Sequence, residues 1–179
     1  MFVTIDLETQ TLVPDSRDYA TLRVSFVGIK DNGGVKIFGE QEIDEVFRIL
    51  DNAPLICGYN LVLFDFKVLQ NYASFNVTER YKHKTFDPFL VLMKKTDRRI
   101  GLNDLVMRNL GLQKTGSGAD APRLYQEGKF DDLKAYLAND VLITHALIEH
   151  IKEHKKLKYG HIVYKDPVER EIAITIDER

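Results

Sequence analysis

The stretch Phe2-Val3-Thr4-Ile5-Asp6-Leu7-Glu8 decides how this chain is read. Apolar Val3, Ile5 and Leu7 alternate with polar Thr4, Asp6 and Glu8, the period of a β-strand with one apolar face. Residues two apart on a strand project to the same side, so Asp6 and Glu8 form a pair about 7 Å apart along the strand. Such a pair can share one metal ion or bridge two. Acid-x-acid is common, and a solvated face of an edge strand is the plainer explanation. Against it stand the apolar opposite face and the position of Leu7-Glu8-Thr9 at the strand's end, where α/β sites lie.

Outward from that strand, a polar stretch over residues 9–19 leads to predicted strands at 22–30 and 35–38. Asp31-Asn32-Gly33-Gly34 between them is a strong hairpin turn. Ile43, Val46, Phe47 and Leu50 recur at helical spacing, predicting a helix over 41–50. The short apolar run 54–59 predicts a strand buried on both faces. A helix is expected over 61–72 and a strand ending near Phe86. Asp87-Pro88 then reads as an N-cap followed by proline at the first helical position. A helix over 102–110 stops at Gly111, and the glycines at 116 and 118 predict a loop over 113–120. The longest helix is expected from about Phe130 to about His154. In the tail, Val163-Tyr164 and then Ile172, Ile174 and Ile176 in alternation predict a hairpin. A three-strand meander followed by alternating strands and helices predicts an α/β domain around a mixed sheet. Residues 1–155 are expected to form it, with 156–179 as a C-terminal extension.

Composition narrows the class. The 179 residues suit one domain with a sizeable core. Their 44% hydrophobic and 29% charged content is that of a globular protein rather than a disordered one. No apolar run reaches about 18 residues, so no membrane span is expected. The N-terminal stretch does not have the pattern of a secretory signal. The single cysteine, Cys57, sits in an apolar run and reads as a buried structural thiol, which suits a reducing cytoplasm. With a net charge of −2, tight non-specific gripping of long duplexes by counterion release is not expected. It is compatible with a metal-dependent nuclease, in which the ions bring positive charge to the phosphate.

Two further acids stand out. Asp65 follows Gly58-Tyr59-Asn60 across a turn and enters the first turn of a predicted helix, where a carboxylate also suits the helix dipole. That dipole does not explain the flanking Phe64 and Phe66, which point to a buried or substrate-facing position. Tyr136 and Asp140 are four apart on the longest helix and therefore share a face. They fall within or beside its apolar stripe of Leu133, Leu137, Val141, Thr144, Ile148 and Ile151. A carboxylate packed against a sheet is expensive unless it is hydrogen-bonded, paired or metal-bound. Asp140 alone would read as a satisfied buried acid. Four acids from three elements aimed at one sheet edge read as a metal site.

Ile5-Asp6-Leu7-Glu8-Thr9, then Gly58-Tyr59-Asn60 with Phe64-Asp65, then Tyr136-Leu137-Ala138-Asn139-Asp140 resemble the three motifs of the DEDD superfamily of 3′→5′ exonucleases. The Tyr-x-x-x-Asp spacing is similar to the tyrosine subclass; the histidine subclass would carry His where Ala135 stands. Compact stand-alone or helicase-associated exonuclease domains are similar too in the segments 102–114 and 125–128. The resemblance covers about residues 1–152. It implies a three-layer α/β/α ribonuclease H-like fold with a central mixed five-stranded sheet. It also implies that Asp6, Glu8, Asp65 and Asp140 hold two Mg²⁺ or Mn²⁺ ions about 3.5–4 Å apart, all-oxygen ligands suiting hard cations. Tyr136 would orient or help deprotonate the attacking water, with Glu8 sharing that role. Thr9, Asn60 and Phe64 match positions that meet the terminal nucleotide, Phe64 by stacking or equally by packing in the core. Lys114 would reach a phosphate or simply be solvated. The expected partners are single-stranded DNA or RNA 3′ ends, with a helicase, a polymerase or another DNA-repair or nucleic-acid-processing protein beside them. No element reads a 2′-hydroxyl, so DNA and RNA stand level. The alternatives are a structure-specific or junction-resolving endonuclease on the same fold, and a catalytically weak scaffold that binds nucleic acid or a partner protein.

Other features are set aside. His145, His150 and His154 read as a solvated, basic helix end rather than a zinc site. Lys94-Lys95 and Arg98-Arg99 read as an exposed basic cluster, and Asp87 as an N-cap rather than a fifth ligand. Gly33-Gly34 is a turn, since no Lys-Ser/Thr follows it at phosphate-loop spacing.

Overall fold

The structure, a computed structural model, describes all residues except 17, 114–119, 164, 165 and 179, and the side chains of 161–167 also lie outside the description. The opening strand β1 (Val3–Thr9) is central, not an edge. It pairs antiparallel with β2 (Val24–Asp31) on one side and parallel with β4 (Ile56–Cys57) on the other. β3 (Gly34–Gly39) extends the meander, and β5 (Thr85–Phe86) runs parallel to β4, giving the order β3-β2-β1-β4-β5. This is the mixed five-stranded sheet expected.

Each face of the sheet is covered. On one side Val3, Ile5 and Leu7 join Val27 and Ile29 under α1 (Ile43–Asn52), α2 (Asp65–Leu69) and α3 (Val77–Tyr81). Beyond the other side lie α4 (Pro88–Thr96), α5 (Leu102–Leu110) and α7 (Phe130–His154), with α6 (Asp120–Gln126) leading into α7. α7 crosses β1, β2 and β3. Its buried residues include the whole expected stripe together with Tyr136 and Asp140. Ile56 and Cys57 are fully buried, as a strand covered on both faces should be.

Three expectations shift. The helix over 61–72 begins only at Asp65, because residues 61–64 form a turn after Asn60, whose φ is +64°. The tail hairpin is β6 (Lys156–Val163) against β7 (Asp166–Ala173); Ile174 is buried beyond the strand's end, and Tyr164 lies outside the described residues. His145 is half-buried rather than freely solvated: its Nδ1 lies 2.8 Å from Thr4 Oγ1 and its ring stacks on Phe2 at 4.7 Å. Among the described residues no helix is long and apolar enough to cross a membrane.

Candidate active site

The site is built where α7 meets β1. Asp6 lies opposite Gly28 of β2 in the sheet. A Cβ at Gly28 would come within 2.6 Å of Val141 Cγ2 and 3.1 Å of Leu137 Cγ, so only glycine lets α7 sit this low on the sheet. Asp140 adjoins Val141 and is carried down with it. One ligand oxygen from each of Asp6, Glu8 and Asp140 lies within 4.8 Å of the others. Asp140 is fully buried, while Asp6 and Glu8 are half-buried. Among the described residues this is the one such gathering of three His, Cys, Asp or Glu side chains, so His150 and His154 collect no third ligand.

Asp65 is not one of those three, but its carboxyl feels the charge of Asp6. Its carboxyl is buried in the first turn of α2, and its Oδ1 has no hydrogen-bond partner among the described residues. Burial, then the charge of Asp6, raises its pKa well above the usual carboxylate range. Tyr136, one turn before Asp140, is buried against Ala121 and Leu133. Burial, then the charges of Glu8, Asp140 and Asp6, pushes its phenol above the ordinary value. The donor set is all oxygen, three carboxylates converge, and a fourth holds a buried oxygen with no donor among the described residues. That set fits a hard divalent cation, which would also relieve the mutual repulsion.

A cavity of ≈ 520 Å³ opens on the cluster. Asp6, Glu8, Thr9, Asn60, Phe64 and Tyr136 line it, so three of the four expected substrate contacts share one wall with the acids. Lys114 lies outside the described residues. Thr9 is buried, its hydroxyl donating to the Thr11 carbonyl at 2.7 Å. Phe64 packs on the core and edge-on to Tyr19 at 6.1 Å, and it also lines the cavity. Asn60 presents a buried Oδ1 that has no hydrogen-bond partner among the described residues. Across Tyr136 a second cavity of ≈ 530 Å³ is lined by Arg123, Asp132 and Asn139.

Sequence reasoning missed Leu12, Val13 and Pro122, which complete the wall of the first cavity. Leu12 and Val13 are exposed apolar residues in a polar stretch, and that contrast was the available signal. It also undervalued Asp87. This carboxyl caps α4 through Phe89 N at 3.1 Å, as expected, but it also accepts from Asn60 N at 2.9 Å and Val62 N at 3.1 Å. Burial raises its pKa to about 6 against the pull of those N–H groups.

A family model of the RNase H superfamily matches residues 3–152. Among solved structures, the family B DNA polymerase from the hyperthermophilic archaeon Pyrobaculum calidifontis resembles the chain with a TM-score of 0.62 and 16% identity. The match covers 83% of this chain and 24% of the polymerase, so the chain spans about a quarter of that protein and the likeness is one of fold. A search of curated proteins found no match. With five-sixths of its length matched by the family model, the chain belongs to the RNase H superfamily.

Proposed function

We propose that this protein is a metal-dependent 3′→5′ exonuclease that removes nucleoside monophosphates from single-stranded DNA or RNA. The observation that carries the reading is the gathering of Asp6, Glu8 and Asp140, the first two of which line a cavity together with Thr9, Asn60, Phe64 and Tyr136. In this reading Asp6, Glu8, Asp65 and Asp140 would hold two Mg²⁺ or Mn²⁺ ions. When bound, such ions supply the Lewis acidity that activates water and stabilises the leaving 3′-oxygen.

The chain's own groups do the rest. In the metal-free site burial, then the charges of Glu8, Asp140 and Asp6, raise the Tyr136 phenol. Its hydroxyl orients the attacking water as a hydrogen-bond partner. Glu8, half-buried at the cavity wall, accepts the proton. Leu12, Val13 and Phe64 offer apolar surface to the terminal base, a contact that tolerates any sequence. Asn60 Oδ1 offers an acceptor to a sugar hydroxyl. The 3′→5′ direction rests on the three motifs. A nucleic-acid substrate and a polymerase partner draw support from the occurrence of this fold in a DNA polymerase. A binding scaffold has no use for crowded carboxylates that destabilise the metal-free fold.

The test is degradation of 5′-labelled single-stranded DNA and RNA with Mn²⁺, beside Asp140→Ala. The expected result is a ladder that shortens from the 3′ end. The variant should be slower by at least about 100-fold, since losing even a group behind a metal ligand costs 10–100-fold. A folded protein that binds Mn²⁺ yet cuts neither strand would remove this reading.

A further inference from the structure

We infer that Asp87 is a positioning residue for the cavity: its buried carboxylate clasps the turn at Asn60 and so aims the Asn60 side chain at the substrate. The inference rests on the exonuclease reading above. A helix cap needs one bond from the side chain to an amide of its own helix. Asp87 makes that bond and two more, to a segment 25 and 27 residues earlier in the chain. Oδ1 accepts from Asn60 N and Phe89 N, and Oδ2 accepts from Val62 N. The carboxylate is 4% exposed.

What the clasp holds is an uncommon backbone. Asn60 sits at φ +64°, a left-handed conformation that asparagine tolerates better than other residues with a side chain. Such conformations persist where surrounding contacts fix them, and they gather at functional sites. Here Asp87 supplies such a contact, and the Asn60 it holds lines the cavity with a buried oxygen that has no donor among the described residues. Phe64 N donates to Asn60 O at 3.0 Å, so the same turn also sets the wall that carries Phe64. Asp65 depends on it less, because Phe66, Val68 and Leu69 anchor α2 in the core.

Asp87→Ser separates the clasp from the cap. A serine oxygen still reaches Phe89 N but is too short for residues 60 and 62. Asn76→Ala is the matched control: it removes the cap of α3, where Asn76 Oδ1 accepts from Glu79 N at 2.9 Å, and it touches no cavity wall. In Asp87→Ser the amides of Asn60 and Val62 should exchange with deuterium at least about 10-fold faster, with Phe89 unchanged. KM for single-stranded DNA should rise about 10-fold with kcat within about twofold, the pattern of lost ground-state binding. In an Asn60→Ala background, Asp87→Ser should add almost nothing, because coupled residues are not additive. Asn76→Ala should shift Tm alone. Unchanged protection at 60 and 62, an unchanged KM, or full additivity with Asn60→Ala would each overturn the inference. If the wild-type protein shows no nuclease activity, the exonuclease reading alone fails. Exchange rates and the anisotropy of a 5′-fluorescein single strand, read in the same variants, then decide the role of Asp87.

Discussion

Asp65 shows what one residue costs the metal-free fold. Its carboxyl is buried beside Asp6, and both burial and that charge raise its pKa. An acid raised in the folded state binds protons more tightly there than in the unfolded chain. Stability is therefore fully present below the ordinary carboxylate value, falls as pH rises through the folded pKa, and stays low above it. Asp87 follows the same sign between 3.8 and about 6. In EDTA at pH 7.5, Asp65→Asn should melt higher than wild type by about 2–4 °C for each kcal/mol recovered. The advantage should shrink as pH falls toward 5. His145 and His150, whose values are lowered by burial, titrate in the opposite sense but are common to both proteins. Millimolar Mn²⁺ should raise the wild-type Tm by more than it raises that of Asp65→Asn, because the variant has less repulsion for the ion to relieve. An asparagine variant that melts below wild type in EDTA would contradict the repulsion argument.

At the scale of elements, the site is a matter of how closely α7 lies on β2. Gly28 leaves the space that Val141 and Leu137 fill, and Asp140 reaches Asp6 because of it. Gly28→Ala places a Cβ where Val141 Cγ2 already stands, so the helix must lift or the side chains turn. Overpacking of this kind costs about 1–3 kcal/mol. We expect a lower denaturant midpoint together with weaker Mn²⁺ binding, as the acids of β1 and α7 part. Val141→Ala removes the clashing methyl, so the double variant should recover more than the single effects add up to. Stability loss in Gly28→Ala with Mn²⁺ affinity intact would show that the helix height does not set the acid cluster.

Across the whole molecule, the tail is tied to the core. Leu157 and Ile174 are fully buried in a cluster with Phe2, Phe86, Leu105, Ile148 and Ile151. Gly160 N donates to Asp104 Oδ2 at 2.7 Å, and Asn109 exchanges hydrogen bonds with Lys158 in both directions. The surface ion pairs Lys158–Glu169 and Lys156–Glu171 across the hairpin add little beside this. Leu157→Ala should cost about 2–5 kcal/mol, the range for emptying a buried leucine site. Urea unfolding followed by circular dichroism checks it. A loss under about 1 kcal/mol would mean the hairpin rides on the surface.

The sequence by itself determined whatever obeys a local period. Alternation put Asp6 and Glu8 on one side of β1; the 3.6-residue repeat gave α7 its limits and set Tyr136 and Asp140 on one face. Asp-Pro marked the start of α4 and Gly111 the end of α5, because caps depend on nearest neighbours. Three motifs named the acids and three wall residues of the cavity. The short helices α3 and α6 left no such mark, since five or seven residues hold too few turns to show a period and depend on packing. Only the tertiary structure decided that α2 starts at Asp65, because the amides of Asn60 and Val62 are taken by a carboxylate more than twenty residues away. It alone left Asp65 out of the three-acid gathering and placed Leu12 at the cavity and His145 against Thr4. Each of these follows from contacts between segments far apart in sequence, whose distances are fixed only when the sheet and its helices close on one another.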